Sequence, residues 1–282
     1  MVGRVIKKEA NSFLVDIGAE NIICTSQKKL KTNGVYVGDR VEVDEKAKQI
    51  LKTLPRTNKL LRPPLVNLDK LFILITSVPQ PDYYLLDKLI LFCKVNSIQP
   101  IICHSKTDLG ESGVKYLEKA YGKHFVVKSF SSLKSRGISE IKDQLKNSVS
   151  AVAGQSGVGK SALLNALLGE NIAVVGDLSK KIERGVNTTR HSRLYEIFEN
   201  SYLADTAGFS SLDETFLPLK AEELAYYYPE FIENVSNCRF SSCTHTVEPN
   251  CAVKAAVEQN KIDLGRYERY LMIFENLKQK KY

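Results

Sequence analysis

The sequence predicts a chain in three parts: an all-β barrel at the N-terminus, a central α/β domain built on a parallel sheet, and a helical metal-binding domain at the C-terminus. Three observations carry that expectation. Five short β-prone runs separated by turn residues occupy positions 1–62; strand and helix patterns then alternate through the glycine-rich segment Gly154–Ser161; and three cysteines crowd around His245. Each pattern has its own period or spacing.

The N-terminal runs are Gly3–Ile6, Ser12–Asp16, Asn21–Thr25, Arg40–Val43 and Gln49–Leu54, with Gly18, Asn33-Gly34 and Gly38-Asp39 between them. Five strands at this spacing suggest an OB-fold, a small barrel whose face and loops bind oligonucleotides. Charge agrees with this. Residues 1–62 hold 13 basic and 7 acidic side chains, against 18 and 16 in 63–215 and 9 and 9 in 216–282, so most of the net +8 sits in the barrel. A local basic excess is the footprint of a polyanion binder, although a solvated basic surface has the same composition. Lys28, Lys29, Lys31 and Arg40 fall on or near the expected binding loops. Stacking aromatics are scarce, with only Phe13 and Tyr36, which points to backbone and shape contacts with RNA.

Arg62-Pro63-Pro64 marks a boundary, giving expected domains of 1–62, 63–215 and 216–282. Past it, strand-like Leu71–Ile75, Pro100–Cys103, Phe125–Val127 and Val149–Ala153 alternate with helical patterns over Tyr83–Asn96, Gly113–Ala120 and Ile138–Lys146. Such alternation requires a parallel sheet with helices on both faces. No apolar run is long enough to span a bilayer, and Met1–Lys8 contains no signal segment, so a cytoplasmic location without a membrane partner is expected. Cys24, Cys93 and Cys103 lie in or beside apolar stretches and read as small core residues.

Directly after Val149–Ala153 the chain reads Gly154-Gln155-Ser156-Gly157-Val158-Gly159-Lys160-Ser161, followed by Ala162 and an apolar-periodic helix to Leu168. This is a complete G-x-x-x-x-G-K-[ST] phosphate loop between strand and helix. Its glycines let backbone N–H groups converge on phosphate oxygens at a helix N-terminus. Lys160 is the expected contact for the β- and γ-phosphates and Ser161 the expected Mg²⁺ ligand, within a nucleotide-binding set that runs from Gly154 to Ala162. Further on, Asp205-Thr206-Ala207-Gly208 ends the strand-like Tyr202–Ala204. There Asp205 can hold the Mg²⁺ shell, and Gly208 lets a backbone N–H approach the γ-phosphate. Between the two, Gly185–Arg190 offers Thr189 or Thr188 to close over Mg²⁺. The expected catalytic set is therefore Lys160, Ser161, Asp205, Gly208 and one of those threonines.

Base choice in P-loop GTPases rests on an Asn-Lys-x-Asp loop whose Asp accepts hydrogen bonds from the guanine edge. Two segments qualify. Asn260-Lys261-Ile262-Asp263 matches in full, but it follows a helical pattern over Ala252–Gln259, and no strand or Ser-rich loop comes after it. Ser105-Lys106-Thr107-Asp108 instead follows a strand, precedes a helix, and is succeeded by Phe125–Val127 leading into Ser129-Phe130-Ser131-Ser132, where a second base-contact loop belongs. Ser105, Lys106, Thr107 and Asp108 are thus the expected base contacts, and Asp263 a solvated helix residue. The motif order becomes base loop, phosphate loop, switch segments, a circular permutation of the ordinary GTPase chain. Residues 208–214 then run straight into the C-terminal domain, so a motion driven by the γ-phosphate would pass there directly.

Cys238-x4-Cys243-x-His245-x5-Cys251 supplies three thiolates and an imidazole, a set suited to one tetrahedral Zn²⁺. Four protein ligands leave no open coordination position, so the site is expected to be structural.

Together these residues resemble the ribosome small subunit-dependent GTPase A family of bacteria, circularly permuted GTPases with an N-terminal OB domain and a C-terminal zinc domain. The resemblance rests on Gly154–Ser161, Thr188-Thr189, Asp205–Gly208, Ser105–Asp108 and the Cys/His spacing, and covers nearly the whole chain. It implies hydrolysis of GTP to GDP and phosphate, stimulated by the small ribosomal subunit and its rRNA, in late maturation of that subunit or release of its assembly factors. Nothing in the sequence suggests more than a monomer. Some positions depart from the family pattern. Ser105 replaces the usual Asn, losing an amide that braces the loop; Ala207 replaces the proline before Gly208; and Asn187 stands where a histidine precedes the threonines, with His191 the nearest imidazole. Phe209 takes the place of the water-orienting Gln of many GTPases, an apolar substitution the family shares. Slow intrinsic turnover, rescued by the partner, is the expectation. The competing readings are an RNA-binding assembly factor that uses GTP mainly as an affinity switch, and a P-loop ATPase or kinase, which Asp108 and the motif order argue against.

Overall fold

Alternating burial along the first runs closes them into a barrel. A computed structural model of the chain describes residues 1–27, 30, 34–61, 63–168, 193–204 and 217–279. Within it β1 (Val2–Lys8), β2 (Phe13–Asp16), β3 (Asn21–Ser26), β4 (Arg40–Asp44) and β5 (Gln49–Thr53) join in the closed order β1-β2-β3-β5-β4. Pairing is antiparallel except between β3 and β5, which gives the barrel its OB character. The inward residues Val5, Phe13, Val15, Cys24, Val41, Val43 and Ile50 fill its interior.

A short hairpin, β6 (Lys59–Leu61) and β7 (Pro64–Val66), straddles the expected first boundary and was not legible as strand. It docks the barrel onto the rest of the chain. Gly38, at φ 94°, lies so close to this hairpin that a Cβ there would stand 2.0 Å from the Val66 carbonyl oxygen. Asn67 Nδ2 donates to the Gly38 carbonyl at 3.0 Å, and Arg56 grips both carboxylate oxygens of Asp39 at 2.6 and 2.8 Å. On the other side of the seam, the Tyr202 hydroxyl donates to Asp16.

The central sheet contains β8 (Lys70–Ile75), β9 (Gln99–His104), β10 (Val126–Ser129), β11 (Val149–Ala153), β12 (Leu194–Phe198) and β13 (Ser201–Ala204), in the order β10-β9-β8-β11-β13-β12. All neighbours are parallel except β12, an antiparallel edge strand that the sequence pattern did not reveal. β8, β9 and β11 read as continuous apolar runs because both faces are covered. Helices α1 (Tyr83–Val95) and α2 (Ser112–Tyr121) pack in the apolar cluster on one face, while α3 (Ile138–Leu145) and α4 (Lys160–Leu168) pack on the other.

The C-terminal helices α5 (Pro229–Ile232), α6 (Ala252–Glu258) and α7 (Leu264–Gln279) join the same apolar cluster as α1 and α2. Charges set into that cluster fix the register. Arg266 of α7 is 2% exposed and pairs with Asp87 of α1 at 2.6 Å and with Glu230 of α5. Arg269 takes the second oxygen of Asp87, and the Tyr121 hydroxyl donates to Asp87 at 2.7 Å. Burial disfavours the Arg266 charge, but Glu230 and Asp87 more than offset it and hold the guanidinium ionised. Asp263 corrects an expectation. Instead of a solvated helix residue it is the cap of α7, accepting the Arg266 N–H at 2.9 Å and the Tyr116 hydroxyl of α2 at 3.0 Å. Among the described residues, no helix is long and apolar enough to cross a membrane. Cys24, Cys93 and Cys103 are buried, as expected, and burial pushes their thiols up.

Arg266→Ala would leave Glu230 buried without its ion-pair partner and Asp87 with only Arg269 and Tyr121, and should cost about 3–5 kcal/mol in denaturant melts. Lys7→Ala breaks only the exposed Lys7–Glu9 pair and should cost less than about 1 kcal/mol. Equal losses would show that the buried cluster does not hold the C-terminal domain in place.

Candidate nucleotide site and metal centre

Because β8 lies between β9 and β11, the loops leaving those two strands emerge side by side at one end of the sheet. The first carries Ser105–Asp108 and the second Gly154–Gly159. Ser105 Oγ joins them, donating to the Val158 carbonyl at 2.6 Å, with the Ile75 carbonyl at 3.3 Å. Thr76 Oγ1 in turn donates to the Ser105 carbonyl at 3.3 Å. The brace expected to be lost with the family's Asn is therefore retained by a hydroxyl.

The phosphate loop turns sharply off β11. Gly154 has φ 136°, and a Cβ on it would stand 2.3 Å from the Leu74 carbonyl oxygen, so only glycine fits. Gly157 and Gly159 follow at φ 78° and 91°. Lys160 folds back over the loop, its ammonium donating to the carbonyls of Gly154 and Gln155 at 2.7 and 2.8 Å. Burial pulls that ammonium below its ordinary pKa. Gln155 reaches out of the loop toward α1: Nε2 donates to the Gln80 carbonyl, and Oε1 accepts the N–H of Asp82, the α1 cap, both at 2.8 Å. Ser161 and Ala162 open α4 beside Lys160.

In the base loop Lys106 takes a left-handed conformation at φ 56° and donates to the Val78 carbonyl at 3.0 Å. The Thr107 N–H reaches the Phe130 carbonyl at 3.2 Å, tying this loop to the Ser-rich one. Asp108 accepts a short hydrogen bond from the Ser131 hydroxyl, which itself accepts the Lys134 N–H at 3.2 Å. The Ser131 bond, aided by Lys134 and Lys106, holds the Asp108 carboxyl below the usual range. The sequence marked 129–132 as a loop but not Ser131 as the residue that fixes Asp108, because a run of serines does not show which hydroxyl turns inward. Ala162, Asn165, Ser132 and Leu133 line an open cleft of about 760 Å³ alongside. Thr188, Thr189, Asn187, His191, Asp205, Ala207, Gly208 and Phe209 lie outside the described residues, as do Lys28, Lys29 and Lys31.

At the C-terminal end, Cys238, Cys243, His245 and Cys251 place their donor atoms within 4.8 Å of one another. His245 Nδ1 lies 3.7 Å from Cys238 Sγ and 3.3 Å from Cys251 Sγ, and those two sulfurs are 4.0 Å apart. A tetrahedron with Zn–S bonds of about 2.3 Å and a Zn–N bond of about 2.0 Å has edges of roughly 3.5–3.8 Å, so the donor set fits zinc. Burial pushes the Cys243 thiol up to about 12 and raises Cys251 too; a bound cation is what would keep these sulfurs as thiolates. Outer contacts fix the loop. The Tyr267 hydroxyl donates to the His245 carbonyl at 2.8 Å, and Phe231 packs edge-on against the imidazole. Burial disfavours a Glu248 carboxylate, but hydrogen bonds from the Thr244 hydroxyl and from the N–H groups of Thr244 and Thr246 outweigh it and bring the group down to about 2.

Residues 53–215 match the RsgA GTPase family model. A small ribosomal subunit biogenesis GTPase RsgA of Ruminiclostridium cellulolyticum is 40% identical over 248 residues, covering 86% of this chain and 81% of that one. Its counterpart in Clostridium acetobutylicum is 38% identical over 279 residues, covering 96% of each. Among solved structures, YjeQ from Thermotoga maritima superposes with a TM-score of 0.83 at 32% identity, covering 99% of both chains. YloQ, a circularly permuted GTPase, gives 0.81 at 29% identity, covering 100% of this chain and 96% of that one. The chain belongs to the RsgA GTPase family and is a GTP hydrolase.

Proposed function

We propose that the chain binds GTP between Ser105–Asp108 and Gly154–Ala162, hydrolyses it to GDP and phosphate, and turns over quickly only on the small ribosomal subunit, during late maturation of that subunit in the cytoplasm. The observation that carries this reading is the Ser105–Val158 hydrogen bond, which ties the loop bearing the Ser131-held Asp108 carboxylate to the glycine-rich loop Gly154–Gly159. The relatives' name, small ribosomal subunit biogenesis GTPase, supports the partner. The basic barrel supports contact with its rRNA, made by a monomer.

Asp108, ionised and held by Ser131, accepts from the guanine edge. Lys160 exchanges two neutral carbonyl acceptors for anionic β- and γ-phosphate oxygens, a stronger pairing. Ser161 offers a hydroxyl to Mg²⁺, with Asp205 and Thr189 or Thr188 as its further ligands; the ion would neutralise charge that builds on the phosphates. Gly208 supplies an N–H to the γ-phosphate. Asn187 lacks the imidazole that the family pattern places there and Phe209 lacks the amide of a water-orienting Gln, so the partner must complete that arrangement. The Cys₃His set holds one structural Zn²⁺.

Phosphate release should be faster from GTP than from ATP, and small subunits should raise the GTP rate by on the order of tenfold or more. No stimulation would leave the affinity-switch reading in its place. Asp108→Ala removes charge-assisted hydrogen bonds and should raise the GTP Kd about 10- to 100-fold while leaving ATP binding unchanged, as measured by calorimetry. Chelation of the metal, or Cys243→Ser, should unfold the segment around residues 238–251 and leave barrel and sheet protected in amide exchange. A C-terminal domain that stays ordered without metal would refute a structural zinc.

A further inference from the structure

Tyr36 is ringed by three cations drawn from two separate parts of the chain. Its ring centroid lies 4.4 Å from Lys59 Nζ of β6, 4.9 Å from Arg56 Cζ and 5.6 Å from Lys8 Nζ at the end of β1. Lys8 Nζ also stands 5.8 Å from the Phe13 ring and donates to the Val35 carbonyl at 3.2 Å. The charges do not cancel. Arg56 is neutralised by buried Asp39, and the nearby Glu9 is taken by Lys7. Lys8 and Lys59, both exposed, have no carboxylate partner among the described residues. Two ammoniums facing one ring lie within about 10 Å of each other, inside one screening length, so each raises the cost of the other until an anion arrives.

We propose that Lys8, Tyr36 and Lys59 form a seat for the RNA phosphodiester backbone at the seam between barrel and hairpin. This rests on the reading of the small subunit as partner and moves the contact from the loop lysines to a cluster that only the fold assembles. The ring holds the two ammoniums by cation–π attraction, and with Arg56 three cations stand over it, so it is not offered to a base for stacking. Recognition is therefore of backbone charge and carries no sequence preference. Phe13, the other aromatic of the barrel, is 7% exposed and also offers no stacking surface.

The test uses the full chain, purified small subunits and protein-free small-subunit rRNA, with Kd measured across a salt series. The K8Q/K59Q variant should bind both at least tenfold more weakly, and its slope of log K against log salt should be shallower by about 1.4–1.8, the release of two counterions. Tyr36→Phe should match wild type, whereas Tyr36→Leu, with the same net charge, should lose most of the affinity. K115Q/K119Q, the same charge change on α2, should bind as wild type, and subunit-free GTP hydrolysis should be unchanged throughout. Wild-type binding with an unchanged K8Q/K59Q slope overturns the seat, as does an equal loss in K115Q/K119Q. A loss on subunits with none on free rRNA overturns it too, by assigning the contact to an acidic protein. A wild-type chain that binds neither subunits nor rRNA overturns the partner reading itself, and the seat falls with it.

Discussion

The end of β8 is the constraint on which the nucleotide site depends. Parallel pairing sets Ile75 against His104 of β9 and Ile73 against Ala153 of β11, so β9 finishes level with it and β11 two residues earlier. Its last carbonyls then serve both loops. Ile75 accepts the Ser105 N–H at 2.8 Å, and the Leu74 carbonyl stands where any side chain at residue 154 would have to go. The Ser105 hydroxyl can reach Val158 only because both loops are pinned to this one strand. These bonds run across strands and not along the chain, which is why the permuted order of motifs leaves the site intact.

Helix α1 carries the same organisation to the opposite part of the molecule. Gln155 of the phosphate loop holds the cap residue Asp82 and Gln80 just before it, and Asp87, within the helix, holds Arg266 and Arg269 of α7. Burying charges in an apolar cluster is a poor way to gain stability, since desolvation consumes most of the Coulomb energy. It is an effective way to choose among packings. A slide of α7 by one turn would strand Arg266, Asp87 and Glu230 among the rings of Tyr121, Phe125 and Tyr228 without partners. The C-terminal domain is thus set against the same helix whose start touches the phosphate loop.

Where a residue's role followed from local spacing, the sequence showed it: the barrel runs, the β8–β11 alternation, the phosphate loop and the Cys/His set all stand where pattern placed them. Elements of three residues, such as β6 and β7, are too short for a period to register, and β12 carries Leu, Ile and Phe without strict alternation. Tertiary partners were the other blind spot. Ser105 looked like a weakened Asn because its acceptor, Val158, is remote in sequence. Asp263 looked solvated because Tyr116 is remoter still. The loop lysines drew the charge argument, while Lys8 and Lys59 become neighbours only once β1 and β6 flank Tyr36.

How the cations are held separates the two anion problems this chain faces. Lys160 and Lys106 rest on neutral backbone carbonyls of their own or adjoining loops. Such acceptors cost little to exchange for phosphate oxygens, and they keep each ammonium aimed into the site beforehand, so less side-chain entropy is lost on binding. Arg266 and Arg269 are paired with carboxylates and are unavailable to any ligand. A net charge summed over the whole chain mixes these populations and understates the first. Lys160 and Lys106, resting on carbonyls at the site, serve the nucleotide; Arg266 and Arg269, paired with carboxylates, serve the packing of α7; and Lys8 and Lys59 of the barrel and hairpin, with no carboxylate partner among the described residues, are what a polyanion would meet.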